Sequence, residues 1–185
     1  MLLEYYINMR ALSFFFLLCL FNTNVIALSP KEIITEKGIK FWFVEDKSVP
    51  IISIDFNFSG GAYYDPINKE GTSTFLAAIL DEGAGEFKSV EFQKEMDLLG
   101  MKLSFSSSKD SLSGKFQTIS TNKKQSFDLF KLALTKPRFD EEEIQKIRNQ
   151  LIASYKISNA NVSETASKTF NKYFFYDHNF SREED

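Results

Sequence analysis

Few side chains in this sequence could do chemistry. It holds one histidine, His178, and one cysteine, Cys19. His178 lies in the loop-like stretch Tyr176-Asp-His-Asn179 with no nucleophile in view, and Cys19 lies in an apolar N-terminal run. Neither a Ser-His-Asp nor a Cys-His constellation can be built from them. Gly60-Gly61 and Gly83-x-Gly85 lack the polar residues and following helix of a phosphate loop. Attention therefore falls on Gly71-Thr-Ser-Thr-Phe-Leu-Ala-Ala-Ile-Leu-Asp-Glu-Gly-Ala-Gly85. This stretch reads as a helix opened and closed by glycines, with Phe75, Leu76, Ile79 and Leu80 on its buried stripe. Thr74, Ala77, Ala78 and Asp81 follow at i, i+3, i+4, i+7 and share one surface. That surface offers one hydroxyl, two methyls and one carboxylate. Asp81 and Glu82, adjacent at the helix end, read as solvated acids.

The elements around this helix follow from periodicity. Ile39, Phe41 and Phe43 alternate as a strand after the Lys37-Gly38 turn. Ile52, Ile54, Phe56 and Phe58 alternate with Ser53, Asp55 and Asn57 as a second strand, half-buried and antiparallel in pattern. Ser89 caps a helix with Phe92, Met96 and Leu99 inward and Gly100 as its stop. Leu103 and Phe105, then Leu112, Phe116 and Thr118, mark two more strands. Asn122 opens a helix with the stripe Phe127, Phe130 and Leu134, ended before Pro137. Asp140 with Glu143 opens another, packed by Ile144, Ile147 and Leu151, and Glu141 to Glu143 complement its dipole. Ser163 starts the last, with Ala166, Phe170, Tyr173 and Phe174 inward. The order ββααββααα implies an α+β fold, an antiparallel sheet with helices packed on one face.

The glycine-framed helix resembles the zinc helix of the insulinase and mitochondrial processing peptidase (pitrilysin-like) family, whose motif is an inverted H-x-x-E-H. The histidines would fall at Thr74 and Ala78, and the water-activating glutamate at Ala77. The family's third ligand, a Glu on a later helix, would lie near Ala153 to Tyr155, yet Gln150 to Tyr155 holds no carboxylate. Ser59-Gly-Gly61, Asp65-Pro66 and Lys136-Pro137-Arg-Phe139 stand in the family's order, so the resemblance runs from Ile33 to Phe180. It implies the N-terminal domain of a metallopeptidase-like protein. The motif positions Thr74, Ala77 and Ala78 leave no catalytic residue, no metal ligand and no cofactor, since zinc needs nitrogen, sulfur or carboxylate donors. Family members are longer, so the chain reads as an incomplete, truncated or split first domain over residues 28–185.

Residues 1–27 read as a signal peptide. Arg10 precedes the apolar run Ala11 to Phe21, and Val25-Ile-Ala27 is a small-x-small-like cleavage site. Met9 is an alternative start to Met1. Eleven apolar residues fall short of the roughly 20 that span a bilayer, so no stable membrane insertion is expected. Cleavage removes Cys19, and a thiol-free remainder suits an exported, periplasmic or secreted protein. A net charge of -3 and a pI near 5.4 argue against nucleic-acid binding, which needs a basic face. The resemblance implies a non-catalytic subunit that pairs with an active, zinc-bearing family member and helps position a peptide substrate. An active zinc metalloendopeptidase and a decayed fragment of a split gene are the alternatives.

Overall fold

The computed structural model describes residues 29–182, so the leader read over residues 1–27 lies outside the described residues. The chain divides after Val49 into two units. The first carries an antiparallel hairpin, β1 (Lys31–Ile34) against β2 (Lys40–Phe43), closed through the Thr35 to Gly38 turn. Glu32 and Lys40 pair across it at 2.9 Å. The sequence pattern anticipates β2 but not β1.

In the second unit β3 (Ile51–Ser59), β6 (Lys102–Ser107) and β7 (Ser111–Ile119) form one antiparallel sheet in the order β3-β7-β6. The register sets Ile54 opposite Phe116, and Phe116 opposite Leu103. Period-two alternation then gathers Ile52, Ile54, Phe56, Phe116, Thr118, Leu103 and Phe105 on one face. Ser53, Asp55 and Asn57 take the other face, as the alternation requires.

Two helices cover the apolar face, α2 (Ser89–Leu99) and α3 (Lys123–Thr135). Phe92 and Met96 of α2 and Leu129 and Ala133 of α3 join Ala84, Met101, Leu103 and Phe116 in the core. The Phe116 ring stacks on Phe130 at 4.8 Å and meets Phe127 at 5.0 Å. Each fully buried phenylalanine contributes about 1.5–3 kcal/mol relative to exposure. Gly100 ends α2 in the left-handed region at φ 58, where a side chain would add strain. The antiparallel sheet with helices on one face is the expected α+β arrangement.

Several helical details differ from expectation. The first helix, α1 (Thr72–Ile79), stops before its closing glycines, and Gly83–Ala84 forms β4, paired with β5 (Phe87–Lys88). Ser89 is the first residue of α2, not its cap, because its hydroxyl donates instead to Glu82 Oε2 at 2.5 Å. In α3 the buried stripe is Ser126, Leu129 and Ala133, while Phe127 and Leu134 remain exposed. The cause is a buried hydroxyl pair, Thr118 with Ser126 at 2.7 Å, which turns that face of α3 onto β7. Asn122 does not cap α3 through its side chain but donates to the Leu99 carbonyl at 3.0 Å. Asp140 precedes α4 (Glu141–Asn159), and its carboxylate pairs with Arg138 at 2.7 Å in place of the expected capping box. Asn161, not Ser163, opens α5 (Val162–Phe174), accepting from the Ser163 and Glu164 amides. Phe170, Tyr173 and Phe174, expected inward, are exposed.

Gly114 in β7 leaves room for a ring. A Cβ there would stand 2.1 Å from Phe56 Cζ. Gly114→Ala is expected to destabilise the protein by about 1–3 kcal/mol, read by denaturant unfolding. The double variant with Phe56→Leu should recover part of that loss, because the two sites share one space. An unchanged midpoint for the single variant would contradict this packing.

Candidate functional site

The site helix α1 is fixed at its start by a residue in the loop just before it. Asp65 is almost wholly buried, at 5% exposure. Its carboxylate accepts from the Gly71 amide at 2.9 Å, the Ser73 amide at 3.0 Å and the Ser73 hydroxyl at 2.5 Å. A carboxylate at a helix N-terminus satisfies orphan amides and meets the positive end of the macrodipole. Gly71 makes the turn possible at φ 88, a region costly to residues with a Cβ. Arg182 closes the same corner, donating to the Asp65 carbonyl at 3.0 Å and pairing with Glu70 at 2.6 Å.

At its other end α1 leads into a strapped loop. The Gly85 amide donates to the Lys136 carbonyl at 2.9 Å and the Arg138 amide to the Gly83 carbonyl at 3.1 Å. The Arg138 guanidinium reaches the Gly85 carbonyl at 3.0 Å and holds Asp140 at 2.7 Å. Lys136-Pro137-Arg-Phe139 is thus the strand-like strap that fixes Gly83 to Gly85.

Helix α1 packs against β6 and α4, and an open groove runs beside it. Thr74 and Phe75 of α1 line it together with Arg148, Leu151, Ser154 and Tyr155 of α4. Of the two segments singled out from sequence, Thr74 of the first and Leu151, Ile152, Ser154 and Tyr155 of the second line one groove. Ala77 turns away into the core at 5% exposure, and Ala78 is half-buried. Asp81 lies past the helix end, out of the stripe.

These residues do not fit zinc. Thr74, Ser154 and Tyr155 offer hydroxyls, Ala77 and Ala78 offer methyls, and zinc takes nitrogen, thiolate or carboxylate ligands. Among the described residues no three His, Cys, Asp or Glu side chains converge as a metal-binding group. Glu70, which lines the groove, is paired with Arg182 at 2.6 Å, and the acids around the end of α1 lie outside the lining. Glu82 accepts from Lys146 at 2.8 Å and from Ser89; burial works to raise its pKa, but those two donors hold it below its ordinary range. Burial pushes Asp81 up to about 6, with the Glu82 charge adding to the shift and Lys146 opposing it. Glu143 is paired with Lys146, while Glu141 and Glu142 stand exposed in the first turn of α4.

His178 sits in an aromatic cluster. Its Nδ1 accepts from the Phe180 amide at 3.2 Å, and its ring lies 4.7 Å from Phe180 and 5.3 Å from Tyr63. This is a structural role for a residue the sequence left in a loop. Asp65 and Arg182, which position α1, were not singled out from sequence as site residues. The signal available was Asp65-Pro66 six residues ahead of Gly71, a carboxylate within reach of a coming helix start.

With the geometry described, three comparisons bear on it. The family model for insulinase (peptidase family M16) matches residues 42–183. The chain is 23% identical over 128 residues to the Helicobacter pylori protein named non-peptidase homolog YmxG, covering 69% of this chain and 29% of that protein. Its fold is similar to the peptidase M16 inactive domain from Pseudomonas fluorescens, with a TM-score of 0.78 and 23% identity over 85% of this chain and 39% of that one. It is also similar to pitrilysin, with a TM-score of 0.70 and 15% identity over 88% of this chain and 17% of that one. The chain spans well under half the length of each of these three proteins. At such identities the structural likeness shows the fold, and function has to be argued from the site.

Asp65→Ala is expected to cost about 1–3 kcal/mol, because it leaves buried donors at Gly71 and Ser73 unsatisfied. Hydrogen exchange should localise the loss, with the Gly71 and Ser73 amides deprotected and the β3–β7 ladder unchanged. Uniform deprotection, or none, would show that Asp65 does not hold this helix start.

Proposed function

The chain belongs to the insulinase family of peptidases (M16), and we propose that it is a non-catalytic member that positions peptide beside an active, zinc-bearing subunit. One observation carries the reading. The groove between α1 and α4 is built, with Thr74 on one wall and Ser154 and Tyr155 on the other, but among the described residues it is lined by no imidazole or thiolate, and its one carboxylate, Glu70, is paired with Arg182. A helix capped by a buried carboxylate, with its loops strapped, is a frame kept for shape.

The Helicobacter pylori relative is named a non-peptidase homolog, and the Pseudomonas fluorescens domain is described as inactive; both accord with this reading. A surface for a partner is supplied by α5. Phe170, Tyr173 and Phe174 stand 59%, 77% and 68% exposed, and the rings of Phe170 and Phe174 stack at 5.0 Å. Contiguous exposed aromatics mark association surfaces. Export follows from the leader features of residues 1–27, and the partner would be met outside the cytoplasm.

After dialysis the purified chain should hold no stoichiometric zinc by metal analysis. Co-purification from native extract should bring down an H-x-x-E-H chain, with peptidase activity depending on that chain. One tightly held zinc per chain would revive the active metalloendopeptidase. A monodisperse monomer with no such partner would favour the decayed fragment.

N-terminal sequencing of the mature protein should begin at or close to Leu28. Recovery of an intact form starting at Met1 or Met9 in the cytosol would overturn the export assignment.

A further inference from the structure

The groove beside α1 has a charge that the chain as a whole does not. Among the described residues six cationic side chains line it, Lys69, Lys109, Arg148, Lys156, Lys168 and Arg182, against a single acid, Glu70. The whole sequence carries a net charge of -3, so this balance is a local concentration. Three of the six cations are engaged. Arg182 pairs with Glu70 at 2.6 Å, Lys109 donates to the Phe180 carbonyl at 2.6 Å, and Lys168 lies 4.4 Å from the centre of the Tyr155 ring. Lys69, Arg148 and Lys156 are exposed, and none of them sits in an ion pair among the described residues. The lining also carries apolar side chains, Phe75 of α1 and Leu151 and Ile152 of α4, among hydroxyl and amide groups such as Thr74, Ser154 and Asn159.

We propose that this groove binds an acidic peptide segment in which Glu or Asp alternates with apolar residues. The carboxylates would meet Lys69, Arg148 and Lys156, while the apolar side chains would lie on Phe75, Leu151 and Ile152. Like charge repels a basic peptide from the same walls, so the groove selects by sign. The aliphatic side chains of Leu151 and Ile152 match the apolar side chains of a peptide, and a single-stranded nucleic acid is the competing ligand that the test separates. The proposal rests on the reading of the groove as a peptide-positioning site and names the class of peptide.

The test is fluorescence anisotropy on the full mature chain. The probe is a labelled peptide of about 12 residues alternating Glu with Leu and Phe. A Lys-for-Glu version and a single-stranded oligodeoxynucleotide serve as competitors. The acidic peptide should bind, and its affinity should fall as salt rises from about 50 to about 300 mM. Arg148→Glu with Lys156→Glu should weaken it roughly tenfold or more, with an unchanged melting temperature. Lys94→Glu with Lys131→Glu, exposed on α2 and α3, makes the same net change away from the groove and should leave affinity unaltered. Lys69→Gln should weaken binding by a smaller factor.

Three results would overturn the proposal. They are equal binding of the Lys peptide, equal loss in the Lys94 and Lys131 control, and an oligonucleotide competing as well as the acidic peptide. Zinc content and capture of an active subunit are measured separately. Failure there with peptide binding intact would refute the subunit reading alone; the reverse would refute the acidic ligand alone.

Discussion

The Asp65 carboxylate at the start of α1 is the contact on which the site depends. A helix of eight residues is too short to stand by itself in water. Its position has to come from tertiary contacts, and Asp65 supplies the directional ones by accepting from Gly71 and Ser73. Arg182 ties the Asp65 carbonyl and Glu70 to the last described residues of the chain. The loop before α1, the helix start and the segment after α5 are thereby held at one corner. Ala77, Ile79 and Leu80 complete the anchoring by burial. None of these contacts requires a metal.

That separation explains how the family's frame and its chemistry can part. Residues that hold α1 in place are a buried acid, a glycine at positive φ and small apolar side chains. Those that would make it catalytic are two imidazoles and a carboxylate at Thr74, Ala78 and Ala77. Replacing the second set by smaller residues removes reactive groups without disturbing the first. At Ala77 the methyl sits in the core, where a charged carboxylate without a metal would be costly.

How much was legible follows the same division. The β3 strand was readable because Ile52, Ile54 and Phe56 alternate with polar residues over a long run. The end of α2 was readable because Gly100 is a strong stop. Strand β1 was missed because Lys31-Glu-Ile-Ile34 has no alternation. The face of α3 was misjudged because hydrophobic pattern cannot see a buried hydroxyl pair such as Thr118 with Ser126. The α5 stripe was correctly placed on one face, but periodicity does not say what covers that face, and Phe170, Tyr173 and Phe174 are exposed. The groove's cations were invisible for a different reason. Lys69, Lys109 and the α4 pair Arg148 and Lys156 come from three separate segments and form no run along the chain.

The residues at the H-x-x-E-H positions do not account for the positive charge of the groove. A dication held with two carboxylates, one the base and one the third ligand, sums to about zero net charge, with the imidazoles neutral. Removing all of them leaves the local balance where it began. The excess at the groove therefore comes from Lys69, Arg148 and Lys156, at positions outside the H-x-x-E-H frame. Ordinary surface lysines and arginines are interspersed with acids, and this chain has more acids than bases to intersperse. Among the described residues of the groove one acid serves six cations, and it is already taken by Arg182. An anionic ligand laid between Lys69, Arg148 and Lys156 would supply the opposite charge that the described lining lacks.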